Sequence, residues 1–122
     1  MTNKERTDEL DKKFQKDLNA GIATLVLLRI LSEATEPMYG YQIAKLVHVE
    51  DYSIKQGTLY PVLRALENNG LLESEVEPSV SGPPRRYYRI TEDGLAARKR
   101  WQQIWNQTKA LVDGITAGGN DD

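Results

Sequence analysis

Hydrogen-bonding side chains crowd one short stretch of this chain, SIKQGTLYP at residues 53–61. They offer hydroxyls, an ammonium group and an amide, which can bind a ligand with anionic groups and polar edges. The five residues are Ser53, Lys55, Gln56, Thr58 and Tyr60. No motif places these hydroxyls beside a base and an activating acid, as nucleophilic catalysis requires. The stretch therefore predicts a binding surface, and no enzyme activity is expected.

The composition also excludes several kinds of site. The 122 residues include no cysteine and only one histidine, His48, so no disulfide framework is expected. A histidine- or cysteine-based metal site is equally unexpected, and His48 is predicted to be structural or solvated. No glycine-rich phosphate cradle is present. The sequence predicts neither a metal nor a cofactor.

Length and apolar patterning indicate one soluble domain. The net charge is −2 and 39% of the residues are hydrophobic. The longest apolar run, Ile22–Leu28, is followed by Arg29, whereas a membrane span needs about 20 residues. The polar amino terminus does not resemble a secretory signal. A cytoplasmic protein with no membrane contact is expected.

Helical periodicity predicts a long first helix over Asp8–Ala34, ended by Pro37. Its second half is apolar on nearly all sides and should lie in the core. Its first half carries a narrow apolar stripe, which usually indicates a partner. The stripe consists of Leu10, Phe14 and Leu18.

A short second helix is predicted over Tyr39–Val49, with Ile43, Leu46 and Val47 facing inward, and a turn at 50–52. Ser53 then opens a third helix through a capping box with Gln56. The helix runs to about Asn69, where Gly70 favours a stop. Its predicted inner side consists of Leu59, Val62, Leu63 and Leu66.

Pro61 leaves two geometries open for the third helix. The helix could run from Ile54 with a bend at Pro61, because proline removes a hydrogen bond and crowds the carbonyl of Gly57. Alternatively, its regular part begins nearer Thr58, with Pro61 in the first turn.

A β-hairpin and a last helix complete the chain. The segments LLESEV and RRYYRI flank EPSVSGPP, which predicts two strands with a long tip. Alternation places Tyr88 and Ile90 toward the core on the face of Arg86, whereas Arg85 and Tyr87 take the other face. Thr91 is the predicted N-cap of the last helix, which carries a near-heptad seam. The seam consists of Trp101, Ile104, Trp105, Thr108, Leu111, Val112 and Ile115.

Three helices followed by a hairpin predict a mainly α fold with a small β-hairpin, a winged helix-turn-helix. In such folds the third helix lies in the DNA major groove with its front toward base edges. The candidate DNA contacts comprise the front of that helix and five nearby cations. They are Lys45, Ser53, Lys55, Gln56, Thr58, Tyr60, Arg64, Arg85 and Arg86.

Three motifs make the chain resemble the PadR family of bacterial transcriptional regulators. They are MYGYQI at 38–43, GTLYPVLRALENNGLL at 57–72 and GPPRRYYRIT at 82–91. The resemblance implies a homodimeric repressor that binds an inverted-repeat operator in double-stranded DNA. It also implies that the first and last helices form the dimer interface, in agreement with their two apolar stripes. Arg64 matches a position that is often basic in the family.

The resemblance suggests four segments and an effector. The segments are a helical extension at 1–19, a DNA-binding domain at 20–90, a dimerisation helix at 91–116 and a flexible tail at 117–122. Trp105 matches a tryptophan with which some relatives stack on planar hydrophobic ligands that release the DNA. The plainer interpretation of Trp105 and Trp101 is interface packing. For the whole chain, the alternative is a winged-helix module that binds a protein and no DNA.

Overall fold

The computed structural model describes residues 2–49 and 52–118, without the side chains of 48, 49, 52, 53 and 115–118. The predictions for residues 50 and 51, for 119–122 and for the side chains of His48, Ser53 and Ile115 therefore lie outside the described residues. The described elements are α1 (Asn3–Glu33), β1 (Met38–Tyr39), α2 (Gly40–Leu46), β2 (His48–Val49), β3 (Tyr52–Ser53), α3 (Gln56–Asn68), β4 (Leu72–Glu77), β5 (Arg85–Ile90) and α4 (Glu92–Gly118).

Helix α1 confirms the predicted long first helix but begins before Asp8. Thr2 caps it, since the Thr2 hydroxyl accepts a hydrogen bond from the backbone N–H of Glu5 at 3.1 Å. Its second half contributes Ala23, Leu27, Leu28 and Leu31 to the core, and its first half leaves Phe14 67% exposed, as the narrow stripe predicted. The helix ends at Glu33, and Ala34 is already extended.

Helix α2 is shorter than the predicted Tyr39–Val49. Tyr39 belongs to β1, which pairs with β5, and His48 and Val49 pair with β3. Ile43 and Val47 are buried as predicted, but Leu46 is 57% exposed, so its predicted inward position is wrong. Leu46 is the last residue of the helix.

Helix α3 begins at Gln56, so the predicted capping box led by Ser53 is wrong. Ser53 pairs with His48 in a two-stranded ribbon, which gives its backbone an extended conformation. Lys55 is the N-cap, and its carbonyl accepts from the N–H groups of Thr58 at 2.9 Å and Leu59 at 3.1 Å. Pro61 lies within the helix, about one turn beyond its start. The observed start at Gln56 falls between the two predicted starts, at Ile54 and nearer Thr58.

The end of α3 follows the prediction at Asn69-Gly70. Gly70 has a φ of 77°, which glycine adopts without strain, and the N–H of Leu71 donates to the carbonyl of Leu66 at 2.9 Å. Thr91 then joins this corner to α4. Its hydroxyl donates to the Gly70 carbonyl at 2.8 Å and accepts from the N–H of Gly94 at 3.0 Å, as a predicted N-cap should.

A three-stranded antiparallel sheet, in the order β1-β5-β4, contains the predicted hairpin and one unpredicted strand. Ser74 pairs with Tyr88, and Val76 pairs with Arg86. Tyr88 is 7% exposed and Tyr87 is half-buried, so the predicted faces of β5 are confirmed. The sheet and α3 close one core with the second half of α1. The architecture is mainly helical with a small sheet, the predicted winged helix-turn-helix.

Candidate nucleic-acid interface

The front of α3 presents polar side chains while the opposite side of the same helix is buried. Lys55 and Gln56 are exposed and Thr58 is half-buried, whereas Leu59, 2% exposed, packs in the core. Lys55 caps the helix with its backbone and makes no side-chain cap bond, so its ammonium group is not used for capping. The positive end of the helix dipole adds to this surface, which can bind an anion.

Tyr60 joins this surface to α2. Its ring lies against Gly40, and its side chain remains 41% exposed. The phenol can therefore act both as a spacer between the two helices and as a hydrogen-bonding group at the surface.

Two further predicted cations flank the helix pair. Lys45, in the last turn of α2, holds its Nζ 4.5 Å from the centre of the Tyr41 ring, a cation–π contact. Arg64 is exposed one turn after Tyr60. Sequence reasoning missed Tyr41, although its position four residues before Lys45 on a helix places the two side chains on one face.

Strands β4 and β5 form the wing, and Arg85 and Arg86 on β5 point to opposite faces of the sheet. The guanidinium carbon of Arg85 lies 4.6 Å from the centre of the Tyr39 ring, and that ring meets Tyr87 edge-on with centres 5.3 Å apart. Sequence reasoning missed Tyr39 because the pairing of β1 with β5 is non-local. Arg85 therefore extends from a small aromatic cluster on the outer face.

Arg86 lies on the inner face, toward α3. Its Nη1 donates to the hydroxyl of Ser74 at 2.9 Å, and that hydroxyl donates to Glu67 Oε2 at 2.5 Å. Burial, and then the nearby carboxylate of Glu67, raise the pKa of Tyr88 above its usual value. Neither Ser74 nor Glu67 was predicted to belong to the site.

A groove of about 540 Å³ runs between α1 and α4, away from these polar groups. Its walls are mainly apolar, and Trp105 is half-buried in them. Trp101 lines the groove and also packs against the core. Toward both helix ends the predicted stripes remain open, with Leu10 58% and Leu111 60% exposed.

The outer face of β4 is acidic, because Glu73, Glu75 and Glu77 alternate along the strand with the inner-face residues. Glu73 pairs with Arg89 at 2.6 Å on that face. Among the described residues, no group of histidine, cysteine or acidic side chains is arranged to hold a metal ion. Within the same residues, no helix is long and apolar enough to cross a membrane.

Comparison with known proteins identifies the family. The transcriptional regulator PadR-like family profile matches residues 27–100. The crystal structure of a PadR family transcriptional regulator from Eggerthella lenta is similar over 97% of this chain and 99% of its own, with 31% identity and a TM-score of 0.76. The chain belongs to the PadR-like family of transcriptional regulators.

Two further similar proteins are also transcriptional regulators. A transcriptional regulator from Clostridium thermocellum has a TM-score of 0.72 and 33% identity, over 80% of this chain and 96% of its own. The transcriptional regulator Rv3488 of Mycobacterium tuberculosis is 41% identical over 73 residues, which are 59% of this chain and 67% of that protein.

Membership of the PadR-like family determines the class of function. The family and these relatives are regulators of transcription and not enzymes, as the sequence predicted. DNA binding is the activity that this family implies for the chain. The matched segment 27–100 includes α2, α3 and the wing, where the polar surface lies.

Proposed function

We propose that this protein is a homodimeric repressor that binds an inverted-repeat operator. The observation that carries the proposal is the two-sided character of α3. Its front exposes Lys55 and Gln56, while Leu63 and Leu66 on its other side are buried. A helix held in this way can enter the major groove with its front toward the base edges.

In this proposal some of the predicted residues contact base edges and others contact phosphates. Gln56 and Thr58 contact base edges, since an amide and a hydroxyl can donate and accept. The cations and Tyr60 contact phosphates, which position the protein without reading the sequence. The cations are Lys45, Lys55, Arg64, Arg85 and Arg86. Ser53 retains its predicted role as a polar contact at the entrance to α3.

Dimerisation through α1 and α4 is supported by their shared exposed apolar face. Isolated apolar side chains at a surface need no explanation, but a continuous stripe on two adjacent helices does. The proposed interface comprises Leu10, Phe14, Leu18, Trp101, Ile104, Trp105, Thr108, Leu111, Val112 and Ile115. A two-fold axis there would present two α3 helices to two operator half-sites.

The same residues support the proposed division of the chain into 1–19, 20–90, 91–116 and 117–122. The first and third segments would pair the subunits, and the second would bind DNA. A planar hydrophobic effector stacked on Trp105 would change the spacing of the two α3 helices and release the operator. Such control requires different effector affinities in the two states.

A DNA retention assay over a range of salt concentrations tests the central proposal. Five cations per subunit neutralise at most about 10 phosphates per dimer, so the slope of log K against log salt should be about −9 or shallower. Binding to DNA upstream of the protein's own gene should fall by roughly 10³ to 10⁵ between about 50 and 200 mM salt. A slope near zero would contradict the proposal.

A matched pair of lysine variants sharpens the assay. Lys55→Ala should make the slope shallower by about two in a dimer, because it removes one phosphate contact per subunit. Lys13→Ala should leave it unchanged, because Lys13 is paired with Asp17 on α1 at 2.9 Å. Transcription in vitro from the bound promoter then tests repression, since added protein should lower the amount of transcript.

A further inference from the structure

The hydroxyl of Ser74 connects α3 to the wing. Ser74 on β4 donates to Glu67 of α3 at 2.5 Å and accepts from Arg86 of β5 at 2.9 Å. One serine hydroxyl is thereby engaged both as donor and as acceptor. Three elements that approach the proposed DNA surface meet at this group.

The strand pattern explains why Ser74 occupies this position. In β4 the side chains alternate, so Ser74 shares the inner face with buried Leu72 while Glu73 and Glu75 are exposed on the other face. Ser74 is paired with Tyr88, and Arg86 lies two residues from Tyr88 on the same face. A long side chain can reach such a diagonal neighbour.

The hydrogen bond from Arg86 to Ser74 leaves the other guanidinium donors available to bind phosphate. Arg86 is exposed, and its guanidinium has about five N–H donors, of which Ser74 occupies one. Glu67 is half-buried and lies in the last turn of α3, so its position is fixed by the helix. Through Ser74, the direction of the guanidinium is thus linked to the orientation of α3.

We propose that Ser74 is a positioning residue for DNA binding: its hydroxyl fixes the wing against α3 and orients Arg86 toward the phosphate backbone. The inference rests on the proposed function, since it assumes that α3 and the wing bind the same DNA. It predicts that Ser74 acts through Arg86 and has little effect when Arg86 is absent.

A double-mutant cycle tests this coupling. The dissociation constant would be measured for a duplex selected from random DNA by the wild-type chain, with Ser74→Ala, Arg86→Ala and the double variant. Ser74→Ala should weaken binding about three- to tenfold, which is within the range expected for the loss of one ordinary hydrogen bond. The same change in the Arg86→Ala background should alter binding by less than about twofold.

Two controls separate positioning from a general loss of stability. Ser74→Thr retains a hydroxyl and suits a strand, so it should restore most of the affinity. Ser32→Ala removes a serine hydroxyl that donates to Arg29 of its own helix at 2.8 Å, and it should leave the affinity unchanged. Thermal unfolding of each variant shows whether it is folded.

The outcomes distinguish the two proposals. If the wild-type chain selects no duplex with salt-sensitive affinity, both the proposed function and the positioning role are overturned. If wild type binds, but Ser74→Ala matches it or weakens binding equally with and without Arg86, only the positioning role is overturned. Failure of Ser74→Thr to recover affinity, when it folds normally, would also overturn it.

Discussion

The ring of Tyr60 in α3 packs directly on Gly40, the first residue of α2. A Cβ atom added to Gly40 would lie 2.4 Å from Cε1 of that ring and 2.9 Å from its hydroxyl oxygen. No side chain fits there while the ring keeps its position, because such atoms do not approach below about 3 Å. The pair therefore determines how closely the two helices of the helix-turn-helix approach each other.

Gly40→Ala should destabilise the wild-type chain through this contact. Overpacking of this kind costs about 1–3 kcal/mol, and we expect roughly 1–2 because Tyr60 is partly exposed and can move. In a Tyr60→Ala background the clash is removed, so the same change should cost less than about 0.5 kcal/mol. Urea unfolding of the four variants measures both values.

Gly57→Ala provides the stability control, since a Cβ on Gly57 meets nothing within 4 Å. It lies on the same helix as Tyr60 and should not destabilise the fold. An equal loss for Gly40→Ala with and without Tyr60 would show that the ring is not the cause.

Local signals allowed much of this fold to be predicted from the sequence. Gly70 stops α3 through its own backbone freedom, and the inward positions of Leu59 and Leu63 follow from helical period. The errors in the bounds of α2 and α3 lie where two-residue strands form, since β1 pairs with the distant β5 and β2 pairs with the nearby β3. Ser53 is a strand residue because of His48, and no pattern at Ser53 indicates that partner.

Part of the candidate site could likewise be predicted from the sequence, and part could not. The front of α3 and the wing arginines could be predicted because residue type and element order place them at one surface. The link from Ser74 to Glu67 and Arg86 could not, because it depends on the register of β4 with β5 and on the approach of α3. Such contacts arise only when three elements have packed.

Leu111→Asp should separate the proposed dimer. Leu111 is 60% exposed on the apolar face of α4, and a charge there would remain unpaired in an apolar interface. By light scattering, wild type should have twice the chain mass of 13.8 kDa, and Leu111→Asp should approach the single-chain mass. DNA affinity should fall with it, because two half-sites are no longer bound together.

The neighbouring variant Ala110→Asp serves as the control for the dimer. Ala110 is exposed and lies about 100° around the helix from Leu111, away from the apolar seam. It introduces the same charge and should leave the mass unchanged. A wild-type protein with the mass of one chain would contradict the interface.

Planar aromatic compounds should bind in the groove between α1 and α4 and change tryptophan emission. Trp105 is half-buried in that groove, where a flat ligand could stack on its indole. Titration with compounds of two to four fused rings should give a saturable change in wild type. The change should be lost in Trp105→Ala and retained in Trp101→Phe, because Trp101 is held by the core.

A change of equal size in wild type and Trp105→Ala would place the ligand elsewhere, and no saturable change would remove the effector proposal. Retention of operator DNA in the presence of the best compound then tests function. Release should occur in wild type at the concentration that saturates the emission change.

Alkaline pH should destabilise the fold partly through Tyr88. Burial first, and then the carboxylate of Glu67, raise the pKa of this phenol above its unfolded value near 10. Because the folded state favours the neutral phenol, the stabilisation is complete below pH 10. It is lost as the pH rises from there through the higher folded pKa, where the unfolded chain binds fewer protons.

Tyr88→Phe lacks this phenol, so its unfolding free energy should fall less steeply above pH 10 than that of wild type. Urea unfolding from pH 8 to 11 measures the difference between the two slopes. Tyr41→Phe changes an exposed ring and should follow the wild-type curve. Parallel curves for wild type and Tyr88→Phe would show that the buried phenol does not contribute to the loss of stability. A smaller loss of stability above pH 10 in Glu67→Gln than in wild type would assign part of the raised pKa to the Glu67 carboxylate.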